Sequence, residues 1–181
     1  MTRISILALA VSTFALPAFA ANPMVGGAAM YETKNIVENA VNSADHTTLV
    51  AAVQAAGLVD TLAGEGPFTV FAPTNDAFGL LAAGTVEDLL KPESKEALTK
   101  VLTCHVVAAD VMSDALAKMI ADDGGMHAVP TVGGCTLQAM VEDGMVKIAD
   151  ERGRKATVTI ADVKQSNGVI HVIDTVLLPA M

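Results

Sequence analysis

The chain has 181 residues, 52% of them hydrophobic, and a formal net charge of −9 at pH 7. This acidic balance repels nucleic-acid phosphates and anionic lipid headgroups, so it excludes nucleic-acid binding as a function. The acidic residues are scattered along the chain, which indicates a soluble surface instead of a charged binding tail. The length suits one domain with a core large enough to be stable.

The first twenty residues have the pattern of a secretory signal peptide. Arg3 supplies the positive end, Ile4 to Leu16 form an apolar stretch too short to span a bilayer comfortably, and Ala18 to Ala20 form a small-x-small cleavage site. We therefore predict a signal peptide over residues 1–20 and a secreted or periplasmic protein with no transmembrane segment after cleavage. Residues 21–33 are small and apolar without a clear period, which predicts a flexible leader.

Two helices are predicted before the first strand. Asn35 to Val41 has the composition of a short helix, and Asp45 is the expected N-cap of a second helix that Gly57 ends. Three apolar residues are expected to line one face of this second helix: Leu49, Val50 and Val53.

Every phenylalanine beyond residue 20 lies in one run, FTVFAPTNDAF, from Phe68 to Phe78. The start of the run favours a β-strand, and Pro73 withholds an amide from any further ladder, so the strand is expected to end there. Thr74 is placed to act as the N-cap of a following helix, with Phe78 packing back on Pro73. We interpret the run as a buried corner between a strand and a helix.

The middle of the chain predicts further helices. Thr85 and Asp88 have the spacing of a capping box, and Pro92 is expected to open a helix with a stripe of Leu98, Val101 and Leu102. Val111 to Ala121 predicts another helix, and its expected apolar stripe consists of Met112, Ala115 and Met119.

Beyond the double glycine at residues 124–125, the pattern changes to strands. Asp143-Gly144 and Gly153 predict tight connections, and Asn167-Gly168 is the strongest turn signal. A long strand is expected to follow, from Val169 to Pro179. The chain is thus predicted to be an α+β domain, with helices early and strands late. Four shorter strands are expected at Ala128 to Val132, Thr136 to Val141, Met145 to Ile148 and Ala156 to Ile160.

The two cysteines, Cys104 and Cys135, are expected to form a disulfide, because an even number of cysteines in an exported chain usually pairs. A copper-type metal site is the alternative, since Cys104-His105 and Met126-His127 offer soft and imidazole ligands. Adjacent residues on a strand point to opposite faces, which counts against that alternative.

Three segments, in this order, resemble the signature boxes of the fasciclin-like domain family: FTVFAPTNDAF, LTCHVVAADV and SNGVIHVIDTVLLP. The resemblance covers about Lys34 to Pro179, so we predict a single fasciclin-like domain of the bacterial type over residues 34–180. It implies two small β-sheets that form a wedge or sandwich with a layer of helices, in a secreted or surface protein that mediates adhesion. The signature positions are Phe68, Phe71, Pro73, Thr74, Asn75, Phe78, His105, Asn167, Gly168, His171 and Asp174.

The resemblance also implies contact residues. Adhesive animal members carry a Tyr-His pair in the middle box, where this chain has Cys104-His105, and an Asp-Ile pair used in integrin recognition, where it has Asp162-Val163. The candidate partner-binding residues are therefore His105, Asp162 and Val163.

No arrangement of residues indicates catalysis. His105 and His171 lie in apolar runs and are predicted to be buried, with hydrogen bonds to the backbone or to a polar group such as Asn75. The predicted function is a non-enzymatic adhesion or interaction module that contacts proteins or cell-surface, matrix or biofilm components. It is expected to be monomeric and to hold no metal or cofactor. The alternative is a periplasmic carrier of a small apolar ligand such as a carotenoid, because eight of the nine flexible methionines lie beyond the predicted signal peptide.

Overall fold

The computed structural model describes residues 22–180, so the predicted signal peptide at residues 1–20 lies outside the described residues. The helices are α1 (Ile36–Ala40), α2 (Thr47–Ala56), α3 (Val59–Ala63), α4 (Asn75–Gly79), α5 (Thr85–Leu89), α6 (Lys95–Thr103) and α7 (Ser113–Asp122), with 3₁₀ turns at Ala44–His46 and Pro92–Ser94. The strands are β1 (Met24–Val25), β2 (Ala28–Ala29), β3 (Phe68–Pro73), β4 (Val106–Val107), β5 (Met126–Pro130), β6 (Thr136–Glu142), β7 (Met145–Ala149), β8 (Lys155–Gln165) and β9 (Gly168–Ile173).

Seven of these strands form one mixed sheet in the order β4-β3-β9-β8-β7-β6-β5, and β1 and β2 form a small separate hairpin. The pair β3 and β9 is parallel, with Phe71 opposite His171, and the other neighbours are antiparallel. The long strand β8 belongs to both halves of the sheet, because it pairs with β7 at its start and with β9 further along. The predicted α+β class is confirmed.

Two apolar clusters lie on opposite faces of the central strands. Val70 and Ala72 of β3 join the cluster under α1, α2 and α6, whereas Phe71 joins the cluster under α7. This division follows from the period of two in a strand, which sends successive side chains to opposite faces. Both faces of β3 and β9 are therefore buried, which explains why these segments read as continuous apolar runs.

The corner after β3 forms as predicted. The strand ends at Pro73, and the hydroxyl of Thr74 accepts a hydrogen bond from the Ala77 amide at 3.3 Å, so Thr74 is the N-cap of α4. The end of α2 is also confirmed, because Gly57 has the left-handed conformation (φ +73°) that glycine adopts without steric cost.

Two predicted helix caps are wrong. Asp45 lies inside a 3₁₀ turn, and α2 begins at Thr47 without a side-chain cap from the preceding residue. Its Thr48 amide instead donates to Oδ1 of Asn75, 27 residues further along the chain, at 3.0 Å. The N-cap of α5 is Gly84 in a left-handed conformation, so the proposed capping box at Thr85 is not formed.

Two predictions in the second half also need correction. In α7 the buried residues are Leu116 and Ile120, while Ala115 of the predicted stripe is exposed. The last strand, β9, ends at Ile173 instead of Pro179. The backbone that follows bonds to the turn between β7 and β8, through the Val176 carbonyl to Arg154 and through the Leu178 amide to Asp150.

The segment predicted as a leader contains the hairpin of β1 and β2 within its described part, residues 22–33. Val25 and Met30 are 4% and 2% exposed and belong to the apolar cluster under the first helices. The mobility of this segment in solution stays a prediction. Among the described helices, none is long and apolar enough to cross a membrane.

Candidate functional site

His171 and Asp162 belong to one hydrogen-bonded network at the start of α7. The Asp162 amide donates to Nδ1 of His171 at 3.2 Å, so the ring carries its proton on Nε2, which donates to the Val111 carbonyl at 2.8 Å. The Asp162 carboxylate accepts from the Ser113 amide at 2.7 Å and from the Ser113 hydroxyl. Asp162 therefore caps α7 from a distant strand, and burial lowers the pKa of His171 so that the ring is neutral.

His105 has a comparable structural role at the end of α6. Its Nδ1 donates to the Val101 carbonyl at 2.8 Å, and its Nε2 accepts from the Leu177 amide at 2.9 Å. Complete burial lowers the pKa of His105 to about 4, although the hydrogen bond to Val101 opposes this change. The two histidines of the signature boxes bond to the backbone, as predicted, and Asn75 is not among their partners.

The structure buries two of the three candidate contact residues. His105 is 2% exposed and Val163 is 0% exposed, so neither side chain is accessible to a partner of the folded domain. Asp162 is half-buried and lies in a bulge of β8 with φ +58°, a conformation that aspartate adopts more readily than most residues. A direct contact stays a prediction, and the accessible group is Asp162.

Asn167 links the turn between β8 and β9 to the region of α1 and α3 through hydrogen bonds. Its Oδ1 accepts from the Ile36 amide at 3.0 Å, and its Nδ2 donates to the Leu62 and Gly64 carbonyls, both at 2.8 Å. Asp174 similarly accepts from the Thr157 amide at 2.7 Å. The side chains of Asn167 and Asp174 therefore stabilise the fold through hydrogen bonds to the backbone.

The cysteines form a disulfide, as predicted. Cys104 follows α6 and Cys135 precedes β6, and their Cα atoms are 5.4 Å apart. The thiol of Cys104 is therefore not available as a metal ligand in this structure. Among residues 22–180, no group of three or more His, Cys, Asp or Glu residues is arranged to hold a metal ion.

The turn from Asp150 to Arg154 carries an ion pair between a buried aspartate and a partly exposed arginine, which the sequence pattern did not predict. The Asp150 carboxylate accepts from Nε of Arg154 and from the Leu178 amide, each at 2.9 Å. Burial would raise the pKa of Asp150, but the hydrogen bonds from Leu178 and Arg154 outweigh it and lower the pKa. An aspartate before Gly153 is a signal for a turn, whereas its contact with the C-terminal segment has no signal in the sequence.

An apolar cavity of about 60 Å³ lies inside the helical half of the domain. Its walls come from the hairpin, from α1 and α2, and from β3 and β9, and they include His46 and His105. A cavity of roughly 150 Å³ is needed to enclose benzene, so a carotenoid does not fit within this volume.

An open groove of about 450 Å³ lies on the surface beside Asn167. It is lined by the loop at residues 63–67 and the turn at residues 165–168, with Asn35 and Asp110 at its sides. The lining includes two carboxylates and no lysine or arginine, so the groove complements a neutral or basic partner.

Comparison with known proteins identifies the family. The Fasciclin domain profile matches residues 44–179, which is most of the described chain. The chain belongs to the fasciclin domain family. The predicted resemblance is therefore confirmed, and the capped corner, the buried histidines and the Asn167 turn are features of this fasciclin domain.

Relatives of this fasciclin domain occur in bacteria and animals. Protein sll1483 of Synechocystis is 51% identical over 158 residues, which cover 87% of this chain and 81% of that protein. Immunogenic protein MPB70 of Mycobacterium bovis is 33% identical over 193 residues, covering 96% of this chain and 89% of that protein. The pig transforming growth factor-beta-induced protein ig-h3 is 37% identical over 131 residues, which cover 72% of this chain but only 17% of the relative.

A solved structure has the same fold. It is a FAS1 domain pair from the insect cell adhesion molecule fasciclin I, with a TM-score of 0.72 and 20% sequence identity. The similarity covers 80% of this chain and 51% of the domain pair, so the chain spans about half of that structure.

Proposed function

We propose that this fasciclin domain is an exported, non-enzymatic module that mediates adhesion or another interaction with proteins or with cell-surface or matrix components. The observation that carries the proposal is the family match over residues 44–179. The insect relative with the same fold is described as a cell adhesion molecule, which supports the same class of function here. The domain would work in a secreted or periplasmic setting.

We place the partner-binding surface on the groove beside Asn167 and on the neighbouring Asp162. The groove is open to solvent, and its shape is held by the three hydrogen bonds of Asn167. The Asp162 carboxylate accepts hydrogen bonds from Ser113, which follows Asp110 by three residues, so we place both carboxylates at this side of the domain. An acidic, preformed surface of this kind favours a partner with exposed basic side chains.

Site-specific crosslinking in native cells tests this surface. A photoreactive residue replaces Ser166, which is exposed in the groove and donates only its backbone amide, and a control replaces Lys118 on α7, which is also exposed. We expect a discrete crosslinked partner from position 166 and none from position 118, and saturable binding of that partner to the purified domain. Equal crosslinking from both positions would contradict the proposed surface.

A separate assay tests the class of function. The purified domain is titrated against the identified partner and is incubated with metabolites of the envelope fraction. Turnover of a metabolite without any saturable partner would contradict a non-enzymatic interaction module. The carotenoid carrier stays a prediction, and a visible absorption band in protein purified from its native host would favour it.

A further inference from the structure

Side chains hold the backbone of residues 176–180, which follow β9 and which we call the strap. Each residue of the strap contributes one backbone group to a hydrogen bond of 2.6 to 2.9 Å, with His105 or with the turn between β7 and β8. The Val176 and Pro179 carbonyls accept from Arg154 and Arg152, and the Leu177, Leu178 and Ala180 amides donate to His105, Asp150 and Glu151. All five partners are ionisable side chains, so their charge states decide how firmly the strap is held.

The bond between His105 and Leu177 requires a neutral ring. Nε2 of His105 accepts from the Leu177 amide at 2.9 Å, while Nδ1 donates to the Val101 carbonyl. Protonation adds a second N–H to the ring, so Nε2 would face the amide as another donor and the bond would be lost. Burial lowers the pKa of His105 to about 4, so this bond is intact at neutral pH and is lost as the pH falls to about 4.

Two carboxylates of the turn respond to acid in the same direction. Asp150 accepts from the Leu178 amide at 2.9 Å, and Glu151 accepts from the Ala180 amide at 2.8 Å. Backbone hydrogen bonds lower the pKa of Glu151. Burial would raise the pKa of Asp150, but its hydrogen bonds outweigh burial and lower the pKa. Each carboxylate therefore holds the strap at neutral pH and loses its grip as the pH falls through the lowered pKa.

The other charges around the strap are positive and stay positive in acid. Arg152 and Arg154 donate to its carbonyls, and Lys100 of α6 acts electrostatically on Glu151. Two carboxylates balance these charges at neutral pH. Once both carboxylates are protonated and the ring of His105 is charged, the positive groups repel one another beside the strap.

The strap covers apolar surface of both clusters. Val176 is 1% exposed and belongs to the cluster under the first helices, whereas Leu177 is 0% exposed and belongs to the cluster under α7. Burial of these two side chains keeps the strap closed while its hydrogen bonds are intact. The neighbouring strand β9 pairs with β3 and β8 through backbone groups, which do not titrate in this range.

We propose that the strap is an acid-sensitive switch, which detaches as a unit when the medium becomes acidic and uncovers the apolar surface beneath Val176 and Leu177 while the seven-stranded sheet stays paired. The five bonds to one turn and one histidine carry this inference, because three of them weaken together in acid. None of the side chains that hold the strap lines the groove beside Asn167, so the inference does not depend on the proposed interaction function.

Hydrogen exchange of the full-length chain, followed by NMR, tests the switch. The amides of Leu177, Leu178 and Ala180 report on the strap, and those of Ile170 and Val172 report on β9. After correction for the pH dependence of exchange in unstructured peptides, we expect the protection of the strap amides to fall roughly tenfold or more relative to β9 between pH 6.5 and pH 4. Loss of protection in both sets at one midpoint, or a strap that stays protected at pH 4, would overturn the proposal.

A matched pair of variants separates the strap from a general effect of acid. Glu151→Gln removes a charge that holds the Ala180 amide, whereas Glu142→Gln, at the opposite end of β7, removes a carboxylate that pairs with Lys147 and Lys155. We expect Glu151→Gln to shift the release of the strap to a higher pH and Glu142→Gln to leave it unchanged. Equal midpoints in the two variants would contradict the switch.

A dye that fluoresces on apolar surface gives a second measurement on the unaltered protein. We expect the dye to bind with the same midpoint at which the strap amides lose protection, because release uncovers the surface beneath Leu177. Loss of protection without dye binding would show that this surface stays covered and would also overturn the proposal.

Discussion

The rings of Phe71 and His171 stack with their centroids 5.7 Å apart, and the two residues are direct partners across β3 and β9. One belongs to the aromatic run and the other to the last signature segment. The signature segments of the family therefore lie on two adjacent central strands. Phe71 and His171, which help to identify the family, contact each other inside the fold.

The long-range cap of α7 predicts a loss of stability when Asp162 is replaced. Asp162→Gly removes the carboxylate that bonds to Ser113 and should lower the free energy of unfolding by about 1 kcal/mol, the usual value for a helix cap. Asp162→Ala should lose about 1 kcal/mol more, because alanine is strained at φ +58°. Urea unfolding measures both values, and equal stability of the two variants would contradict the backbone contribution.

Buried neutral histidines predict that the domain loses stability in mild acid. The folded pKa of His105 is about 4, below the ordinary value of 6.5, so its contribution is complete above about pH 6.5 and is lost as the pH falls to 4. This contribution amounts to roughly 3 kcal/mol. His46 and His171 act in the same direction, since burial lowers the pKa of both.

Urea unfolding between pH 7 and pH 4.5 measures this dependence. His105→Gln keeps a donor and an acceptor but does not titrate, so the variant should take up about one proton fewer on unfolding. A variant with the same pH slope as the original chain would show that His105 does not contribute.

The disulfide predicts a large response to reduction. The bond joins cysteines 31 positions apart, and closing a loop of this length contributes roughly 3 to 4 kcal/mol in the chain-entropy model. The double variant Cys104→Ala, Cys135→Ala should lose a similar amount and should no longer respond to reductant. Thiol titration of the folded protein should detect no free thiol, and two reactive thiols would contradict the bond.

The contacts of Asn167 predict a fourth loss of stability. Asn167→Ala leaves the Ile36 amide and the Leu62 and Gly64 carbonyls without their partner, which should cost about 2 to 3 kcal/mol. Asn42→Ala is the matched control, because Asn42 is exposed and donates one hydrogen bond, to the Glu38 carbonyl. Similar losses in both variants would mean that the contacts of Asn167 are no stronger than those of a surface amide.

Local chemistry made part of the fold predictable. The strand that ends at Pro73, the Thr74 cap and the Gly57 helix end follow from steric rules that act within a few residues. The turn at Asp143-Gly144 was also predicted, and both residues have positive φ angles. The buried face of α7 was not predicted, because both sides of the helix carry apolar residues and only packing on the sheet selects Leu116.

Long-range contacts explain what the sequence did not predict. Asn75 caps a helix that precedes it by about 27 residues, and Asp162 caps a helix that precedes it by 49. The sequence pointed to Asp162-Val163 through a family motif, but it did not show that Val163 is buried while Asp162 remains accessible.

The central position of β9 has a consequence for the order in which the domain can assemble. This strand lies between β3 and β8, yet it occupies Gly168–Ile173, close to the end of the chain. A chain that emerges from its N-terminus cannot complete its sheet until these residues have arrived, because the parallel pairing of Phe71 with His171 spans most of the domain. Truncations that remove β9 should therefore leave the earlier segments without a stable fold, whereas insertions at exposed turns are better tolerated.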